Sequence, residues 1–464
     1  MYVIRPSTAR CLGRPGARTS LPLRRTVAMM PRIETTKAEG DISSVFASLS
    51  GETEQKLPPR YQELKRKLIA NNPDRVQASW NRLMDALKAG VEETKVQRER
   101  IIPQVSFTDL KNGKISPQKV AEIKERGTVV VKGVFPAAEA LEMKEQTRAY
   151  IQANRDITKH FKGQVFEIYW SPSQLKARGD PRMIEAQIAL QRLWQGLPEE
   201  QTATPLSYVD RLRMRTPGDT SFALGPHVDG GSLERWEDPT YASCYAEIFQ
   251  GNWENYNPFD ATHRVDSVMD MYNASGGCAA FREFQGWLSL SSCGPGEGTL
   301  RVNPLLKQAT AYFMLRPFFS PSKSDPSSLD GWVLDLSTSK YPGSAQGRGQ
   351  EMSDKTHPHL QLRHSMVSAP RVEPGDFLLW HCDTIHAVDP VHNGTQDASV
   401  FYIPVVPKCP LNERYIQKQK ETFLVGYPPP DFPGGNGEQY HQGRPGAEMI
   451  EKVGGQAAMT AMGF

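Results

Sequence analysis

The sequence predicts an α+β protein in which a double-stranded β-helix, a jelly-roll barrel, is buttressed by N-terminal helices and interrupted by long insertions. Short apolar strands around residues 377–380 and 399–406 are separated by an Asn-Gly turn, and strands alternating with turns in this way are typical of an antiparallel jelly roll. A further strand over residues 206–215 ends at a Pro-Gly turn. Apolar residues at helical spacing between residues 61 and 96 predict the buttressing helices.

Four segments are predicted along the chain. Residues 1–40 form a basic targeting or disordered tail, residues 41–104 a helical segment, residues 105–410 the double-stranded β-helix domain, and residues 411–464 a C-terminal extension that packs on the barrel. Within the barrel domain we expect a helix from Ala137 to Ala153. The turn-rich stretches 233–285 and 316–360 are insertions of a length typical of lids or binding loops.

Composition indicates a soluble globular protein. Of the 464 residues, 38% are hydrophobic, and no apolar run approaches the roughly 18 residues that a membrane-spanning helix needs. The formal net charge of +3 falls to about −4 when the arginine-rich residues 1–33 are set aside. Nucleic-acid binding therefore has no electrostatic support.

The N-terminal tail has the composition of a mitochondrial transit peptide. Residues 1–33 contain seven arginines among serine, threonine and leucine, and the first acidic residue is Glu34. We therefore expect mitochondrial import. The alternatives are a disordered basic tail or an untranslated leader, if Met29 or Met30 is the true start, and the protein would then be cytoplasmic.

His227 and Asp229 form a His-x-Asp pair directly after a strand-like run. Residues two apart on a strand point to the same face, so the imidazole and the carboxylate can reach one point in space. A histidine from a distant strand would complete two histidines and one carboxylate, the ligand set of non-haem Fe(II) sites with open positions. We predict His386 as that third ligand. His381 is the alternative candidate for this third ligand. It could instead donate a hydrogen bond to one of the metal ligands or pack in the core.

Three stretches together resemble a known enzyme superfamily. Gly375-Asp-Phe-Leu-Leu-Trp-His381 followed by His386, the strand Gly298-Thr-Leu-Arg-Val-Asn-Pro304, and the entry strand 127–136 resemble the phytanoyl-CoA-hydroxylase-like branch of the Fe(II)/2-oxoglutarate oxygenases. More narrowly, the chain resembles the fungal N-acetylglucosamine-induced proteins and their YbiU-like bacterial relatives. The resemblance covers about residues 105–407. It implies Fe(II) and 2-oxoglutarate as cofactors, O₂ as co-reactant and hydroxylation of an organic substrate, which the arginines described below predict to be a small anionic molecule.

The cosubstrate would need a cation for its distal carboxylate, and arginine suits this because its fork makes bidentate bonds. Many enzymes of the superfamily place that arginine shortly after the distal histidine, where this chain has Gln396 and Ser399 instead. Other members use the middle strand, where Arg301 lies. We therefore expect Arg301 to bind 2-oxoglutarate, with Thr299 on the same face and Ser399 as a further contact.

Three arginines on one strand are candidates for substrate binding. Arg211, Arg213 and Arg215 alternate with apolar residues, so all three face the same side of the strand that leads to His227. On the inner face they would imply a ligand bearing a carboxylate or phosphate, whereas on the outer face they would be ordinary solvated side chains. Trp236 and Trp380 are the aromatic residues expected in the same pocket.

Two other functions fit the same pattern. A cupin-like lyase or isomerase acting on a sugar or hydroxy acid would use the metal as a Lewis acid, and the missing late arginine favours it. A non-catalytic binding protein with the same fold would be expected to lose a metal ligand. The order of the three ligands favours the oxygenase. The sequence leaves the substrate, the position oxidised and the oligomeric state open.

Overall fold

The computed structural model describes residues 37–50, 55–69, 72–322, 324–325 and 328–464. All of these described residues belong to one unit of the chain, so the predicted segment boundaries at residues 40, 104 and 410 stay predictions. Residues 1–36 of the predicted tail lie outside the described residues, so mitochondrial import stays a prediction as well.

The chain alternates short strands with helices. The strands are β1 (Gln104–Ser106), β2 (Thr128–Lys132), β3 (His160–Phe161), β4 (Val165–Phe166), β5 (Leu212–Arg215), β6 (His227–Val228), β7 (Phe284–Ser289), β8 (Leu300–Val302), β9 (Phe319–Ser320), β10 (Val333–Leu334), β11 (Gln350–Glu351), β12 (Val367–Ser368), β13 (Phe377–His381), β14 (His386–Val388) and β15 (Ala398–Tyr402). The α-helices are α1 (Ile42–Val45), α2 (Ala47–Ser50), α3 (Arg60–Ile69), α4 (Pro73–Gln97), α5 (Phe107–Lys111), α6 (Pro117–Arg126), α7 (Ala137–Ala153), α8 (Pro172–Gly179), α9 (Pro181–Gln191), α10 (Glu199–Thr202), α11 (Glu234–Glu237), α12 (Pro239–Ser243), α13 (Ala246–Phe249), α14 (Leu306–Leu315), α15 (Leu362–Ser365), α16 (Pro410–Val425) and α17 (Ala447–Ala461).

Two antiparallel sheets dominate the fold. The larger has the strand order β1-β2-β13-β7-β15-β5-β4-β3, and the smaller has the order β11-β6-β14-β8-β12. Only the β1–β2 pair of the larger sheet is parallel. The prediction of a mixed α+β fold built on antiparallel strands is therefore confirmed.

The larger sheet is buried at its centre. Every residue of β13 and β7 is buried, and three consecutive valines of β2 are completely buried beside β13. β-branched and aromatic residues pack well on a pleated surface that is covered on both faces. This explains why the strand predicted at residues 377–380 is a continuous apolar run rather than an alternating one.

Helix α4 carries the buried stripe that the sequence predicts. Val76, Trp80, Leu83, Leu87 and Val91 are all at most 1% exposed, and their spacing places them on one helical face. The helix packs mainly against α14 and α15, which belong to segments between strands. The N-terminal helices thus support the sheets chiefly through these later helices.

The C-terminal extension contains more helix than the sequence indicates. It contains α16 and α17, whereas the helix predicted over residues 137–153 of the barrel domain matches α7. Helix α16 was not predicted; its Tyr415 and Phe423 share a hydrophobic cluster with Trp170. Among the described residues, no helix combines the length and apolar content needed to cross a membrane.

Candidate metal centre

The structure brings His227, Asp229 and His386 together. Strands β6 and β14 are neighbours, and His386 pairs directly with His227 across them. The Asp229 carboxylate has Oδ1 3.5 Å from His227 Nε2 and Oδ2 3.7 Å from His386 Nε2. One donor atom from each residue lies within 4.8 Å of the other two. Two imidazole nitrogens and one carboxylate oxygen therefore converge on a single point.

The far nitrogen of each imidazole is held by the backbone. His227 Nδ1 lies 2.7 Å from the Gly225 carbonyl oxygen, and His386 Nδ1 lies 3.0 Å from the Thr384 carbonyl oxygen. Because a carbonyl only accepts, each Nδ1 is the donor, and each Nε2 is the nitrogen left to bind a metal. Hydrogen bonds of this kind orient histidines that ligate metals and fix their tautomer. The residues present therefore fit a divalent metal ion.

The charges of the cluster suit metal binding near neutral pH. Burial would raise the pKa of Asp229, but His227, His386 and Arg282 outweigh it and lower that pKa to about 2. Burial lowers the pKa of His386 to about 3. Asp229 is thus an anion and His386 is neutral at pH 7, the forms in which both residues ligate metals.

A buried ion-pair cluster connects the two ligand segments. Asp383 lies three residues before His386, and its Oδ2 accepts a hydrogen bond from Arg264 Nη2 at 2.6 Å. Its Oδ1 is 3.8 Å from Arg235 Nε. Arg235 in turn donates from Nη2 to the backbone carbonyl of Asp229 at 2.6 Å. The segment carrying His386 is therefore tied to the segment carrying Asp229 through side chains that are at most 1% exposed.

The rival ligand His381 is a packed histidine. Its ring stacks on Trp194 with centroids 4.8 Å apart and an interplanar angle of 6°. Nε2 donates to the Pro258 carbonyl at 2.9 Å, and Nδ1 accepts from the Asp383 backbone N–H at 3.0 Å. Both ring nitrogens are thus engaged within the protein, so of the two histidines it is His386 that faces Asp229.

The cluster opens onto a cavity of about 150 Å³ that is lined by residues of both sheets. The smaller sheet contributes the histidines, and the larger sheet contributes aromatic residues such as Trp287 and Tyr402. A cavity of this volume accommodates a small organic molecule. Trp380 lines it as predicted, with its ring centroid 5.0 Å from that of His386.

The three arginines of the β5 region have different surroundings. Arg213 is 4% exposed and lines the cavity, where its Nη2 donates to Gln164 Oε1 and to the Phe222 carbonyl. Arg211 lines the cavity too and pairs with Asp210 at 3.0 Å. Arg215 does not line the cavity. Its guanidinium donates hydrogen bonds to the Asp219 carboxylate and to three backbone carbonyls nearby.

The structure does not bring Arg301 to the cluster. Arg301 pairs with Ala387, the neighbour of His386, so strand alternation directs it to the opposite face of the smaller sheet. Its Nη2 donates to the Met366 carbonyl at 2.8 Å. Arg301 therefore does not line the cavity beside the metal ligands, where the sequence analysis expected it to bind 2-oxoglutarate.

Three other predicted residues also lie away from the ligands. Thr299 and Ser399 line a separate cavity of about 20 Å³, which Arg213 and Arg215 also border. Trp236 is absent from the large cavity's lining; it is 1% exposed and donates from Nε1 to the Met314 carbonyl. Its burial in the core follows the usual behaviour of a tryptophan whose N–H finds a partner.

The sequence analysis did not identify two cavity residues that lie next to the metal ligands. Arg282 lies two residues before β7, with Nη2 3.8 Å from Asp229 Oδ2. A charged residue within the run Ala279-Ala-Phe-Arg-Glu-Phe284 is the signal that could have identified it. Phe46, from the N-terminal helical segment, places its ring 4.8 Å from that of His227 in an edge-on contact, and no sequence signal indicates this long-range packing.

Removal of one ligand tests the metal site. We expect wild-type protein to bind one equivalent of Co(II) or Fe(II) in an anaerobic titration. His227→Ala should weaken binding on the order of 100-fold or more, because even residues that only orient ligands contribute 10–100-fold. His364→Ala, which removes an exposed histidine, is the matched control. Equal affinities for the two variants would contradict the assignment.

The Asp383 cluster makes a second prediction. Asp383→Asn should lower the free energy of unfolding by about 3–5 kcal/mol, since it leaves Arg264 buried without its countercharge. Metal affinity should fall roughly tenfold as the ligand segments loosen. Glu254→Gln breaks the half-exposed pair with Arg82 and should change stability by less than about 1 kcal/mol. Urea unfolding of both variants measures the difference, and equal losses would refute it.

The sequence of the chain is similar to those of known proteins. Residues 55–463 match the Gig2-like family. The uncharacterized protein YbiU of Escherichia coli (strain K12) is 35% identical over 404 residues, which are 82% of this chain and 91% of YbiU.

Two solved structures are similar to this chain over most of their length. GlcNAc Inducible Gene 2 of Candida albicans superposes with a TM-score of 0.80 at 32% identity, covering 89% of this chain and 90% of the other. A protein of Salmonella typhimurium LT2 named "Putative Oxidoreductase" gives a TM-score of 0.76 at 34% identity, covering 88% of this chain and 99% of the other. The chain belongs to the Gig2-like family.

Proposed function

We propose that the protein is a non-haem Fe(II), 2-oxoglutarate-dependent oxygenase that hydroxylates a small anionic organic molecule. The observation that carries this proposal is the convergence of His227 Nε2, His386 Nε2 and an Asp229 carboxylate oxygen at one wall of the cavity. Two nitrogen donors and one oxygen donor on one side of an ion leave its other positions open to ligands. The name of the Salmonella relative, an oxidoreductase, is in keeping with this chemistry.

The fold that we propose for this enzyme is the double-stranded β-helix. Two antiparallel sheets, one of eight strands and one of five, both contribute residues to the cavity. The two ligand histidines lie on adjacent strands of the smaller sheet, and Asp229 follows directly after β6. The larger sheet lines the cavity with side chains that suit organic ligands. This division supports a jelly roll with its active site between the sheets.

Fe(II) bound with 2-oxoglutarate supplies the activation of O₂ and the oxidation of a C–H bond. The protein's own contribution is position and environment. The backbone carbonyls at Gly225 and Thr384 hold the two imidazoles in their ligating tautomer. The buried aromatic residues Phe46, Trp287 and Trp380 limit water around the reacting groups, which strengthens the electrostatic interactions there.

Arg213 is the residue that we propose for the distal carboxylate of 2-oxoglutarate. It lines the cavity from β5, and its Nε has no hydrogen-bond partner among the described residues. Strand β15 pairs with β5 in a register that joins Val400 to Arg213, and Tyr402 of β15 also lines the cavity. A buried guanidinium with an unused donor is suited to a carboxylate.

Glu234 favours a second candidate function, a metal-dependent lyase or isomerase acting on a sugar or hydroxy acid. This residue lines the cavity and is 2% exposed, and its Oε2 accepts from the Ser232 backbone N–H at 2.7 Å. Burial raises the pKa of Glu234 to about 7. A carboxyl group that titrates near neutral pH is suited to proton transfer, which that reaction would need.

Anaerobic addition of Fe(II) and then 2-oxoglutarate tests the proposal. We expect the visible charge-transfer band that arises when a 2-oxo acid chelates Fe(II), followed by succinate formation in air. Arg213→Met should weaken 2-oxoglutarate binding by roughly 30-fold or more, because losing one partner of a buried charge pair costs about 2–5 kcal/mol. Arg301→Met, on the other face of the smaller sheet, should leave binding unchanged.

Fe(II) binding with neither the band nor succinate would contradict the oxygenase and favour the lyase or isomerase. In that case Glu234→Gln should abolish proton exchange between candidate hydroxy acids and deuterated water. Urea unfolding of Arg213→Met separates lost binding from lost folding.

A further inference from the structure

Arg282 lines the cavity together with Arg213, and it makes few contacts with the rest of the protein. Its side chain is 10% exposed and lines the cavity beside the metal ligands. Its contacts with charged or aromatic groups are Asp229, 3.8 Å from Nη2, and the Tyr208 ring, whose centroid is 5.5 Å from the guanidinium carbon. Among the described residues, Arg282 donates no hydrogen bond.

Other buried arginines of the same region donate several hydrogen bonds within the protein, although the Nε atoms of Arg235 and Arg264 have no partner among the described residues. Arg215 donates to Asp219 and to three backbone carbonyls. Arg235 donates to the carbonyls of Gly231 and Asp229, and Arg264 donates to Asp383 and Tyr256. A guanidinium has five N–H donors, and burying them without acceptors is unfavourable. The contrast indicates that the partner of Arg282 comes from outside the chain.

We propose that Arg282 binds the anionic group of the substrate, a carboxylate or a phosphate. The inference rests on the proposed function for identifying the bound anion as the molecule that is oxidised. Arg213 serves the cosubstrate in that scheme. Two further arginines line the cavity, but Arg211 is paired with Asp210 and Arg348 donates to the Ser44 carbonyl. Arg282, beside the metal ligands, is the cation left for a second anion.

The electrostatics around Arg282 permit this binding. Asp229 is the nearest acid, but when it ligates a divalent metal its charge is shared with that ion. Asp210, the other nearby carboxylate of the cavity, is paired with Arg211 at 3.0 Å. Arg282 therefore keeps most of its attraction for an incoming anion. The Tyr208 ring faces the guanidinium and holds its orientation by a cation–π contact.

The position of Arg282 restricts the site of oxidation. Its Nη2 lies 3.8 Å from an oxygen of a metal ligand, so an anion bound by its fork lies beside the metal. The carbon that is oxidised must then be close to the anionic group rather than at the far end of a long chain. Phe46 and Trp380 line the cavity against the two ligand histidines and offer apolar surfaces for the rest of the molecule.

Calorimetry with matched probes tests the proposal on Fe(II)-loaded protein, kept anaerobic and saturated with 2-oxoglutarate. The probes are benzoate and inorganic phosphate as anions, and benzamide as the neutral counterpart of benzoate. We expect at least one anion to bind and benzamide to bind at least about tenfold more weakly. Arg282→Met should weaken anion binding about tenfold or more, while the charge-transfer band with 2-oxoglutarate is kept. Arg301→Met should bind the anion like the wild type.

Three results would decide the matter. If Arg282→Met loses the 2-oxoglutarate band, Arg282 holds the cosubstrate and the proposal is overturned, although the oxygenase assignment stands. If neither anion binds more tightly than benzamide, the proposal is overturned as well. If 2-oxoglutarate fails to bind but the anion binds through Arg282, the proposed function fails and the anion site is upheld. Arg282→Gln repeats the comparison should Arg282→Met prove unstable in urea unfolding.

Discussion

The metal site depends on the hydrogen bonds and ion pairs that the buried carboxylate of Asp383 makes with its neighbours. It lies between Arg264 and Arg235 and also accepts hydrogen bonds from Tyr245 and Tyr256 at 3.0 and 3.2 Å. Burial would raise the pKa of Asp383, but Arg264, His381 and Arg235 together lower it. The carboxylate is therefore charged at neutral pH, and a buried charge is tolerated only when partners surround it in this way. Since Arg235 also binds the Asp229 carbonyl, one cluster sets the relative positions of both ligand segments.

The two sheets divide the chemistry of the cavity. The smaller sheet presents two histidines in direct register, and the carboxylate of Asp229 follows at the end of β6. The larger sheet presents cations and aromatic rings, among them Arg213 and Trp287. A metal at one wall and anion-binding groups at the other suit a reaction between two small organic anions and a gas. Glu234 lines the same cavity, which is why a lyase or isomerase is the second candidate function.

His227 and Asp229 could be predicted from the sequence because they are only two residues apart, a spacing that lets both side chains reach one point. His386 joins them through long-range strand pairing, and its prediction rested on the strand pattern around it. Arg301 could not be placed in the same way. Its orientation depends on the register between β8 and β14, and a shift of one residue moves a side chain to the other face. Of the three arginines predicted to share a face, Arg211 and Arg213 line the cavity, whereas Arg215 donates to acceptors that lie far along the chain.

The residues that the sequence analysis missed are those defined by long-range contacts. Arg282 lies outside the predicted strands, and Asp383 lies between the strand predicted at residues 377–380 and His386. Phe46 reaches His227 from a segment predicted only to buttress the fold. Each of these roles follows from packing between elements, which periodicity and turn chemistry do not describe.

The central claim is that three protein ligands hold one face of the metal and leave open positions that face the cavity. Electron paramagnetic resonance of the Fe(II)-loaded protein exposed to nitric oxide tests this directly, because nitric oxide occupies the kind of position that O₂ would use. We expect the signal of a high-spin iron–nitrosyl complex, and a change in its shape when 2-oxoglutarate is added first. Absence of that signal, or a signal that 2-oxoglutarate does not alter, would contradict the account.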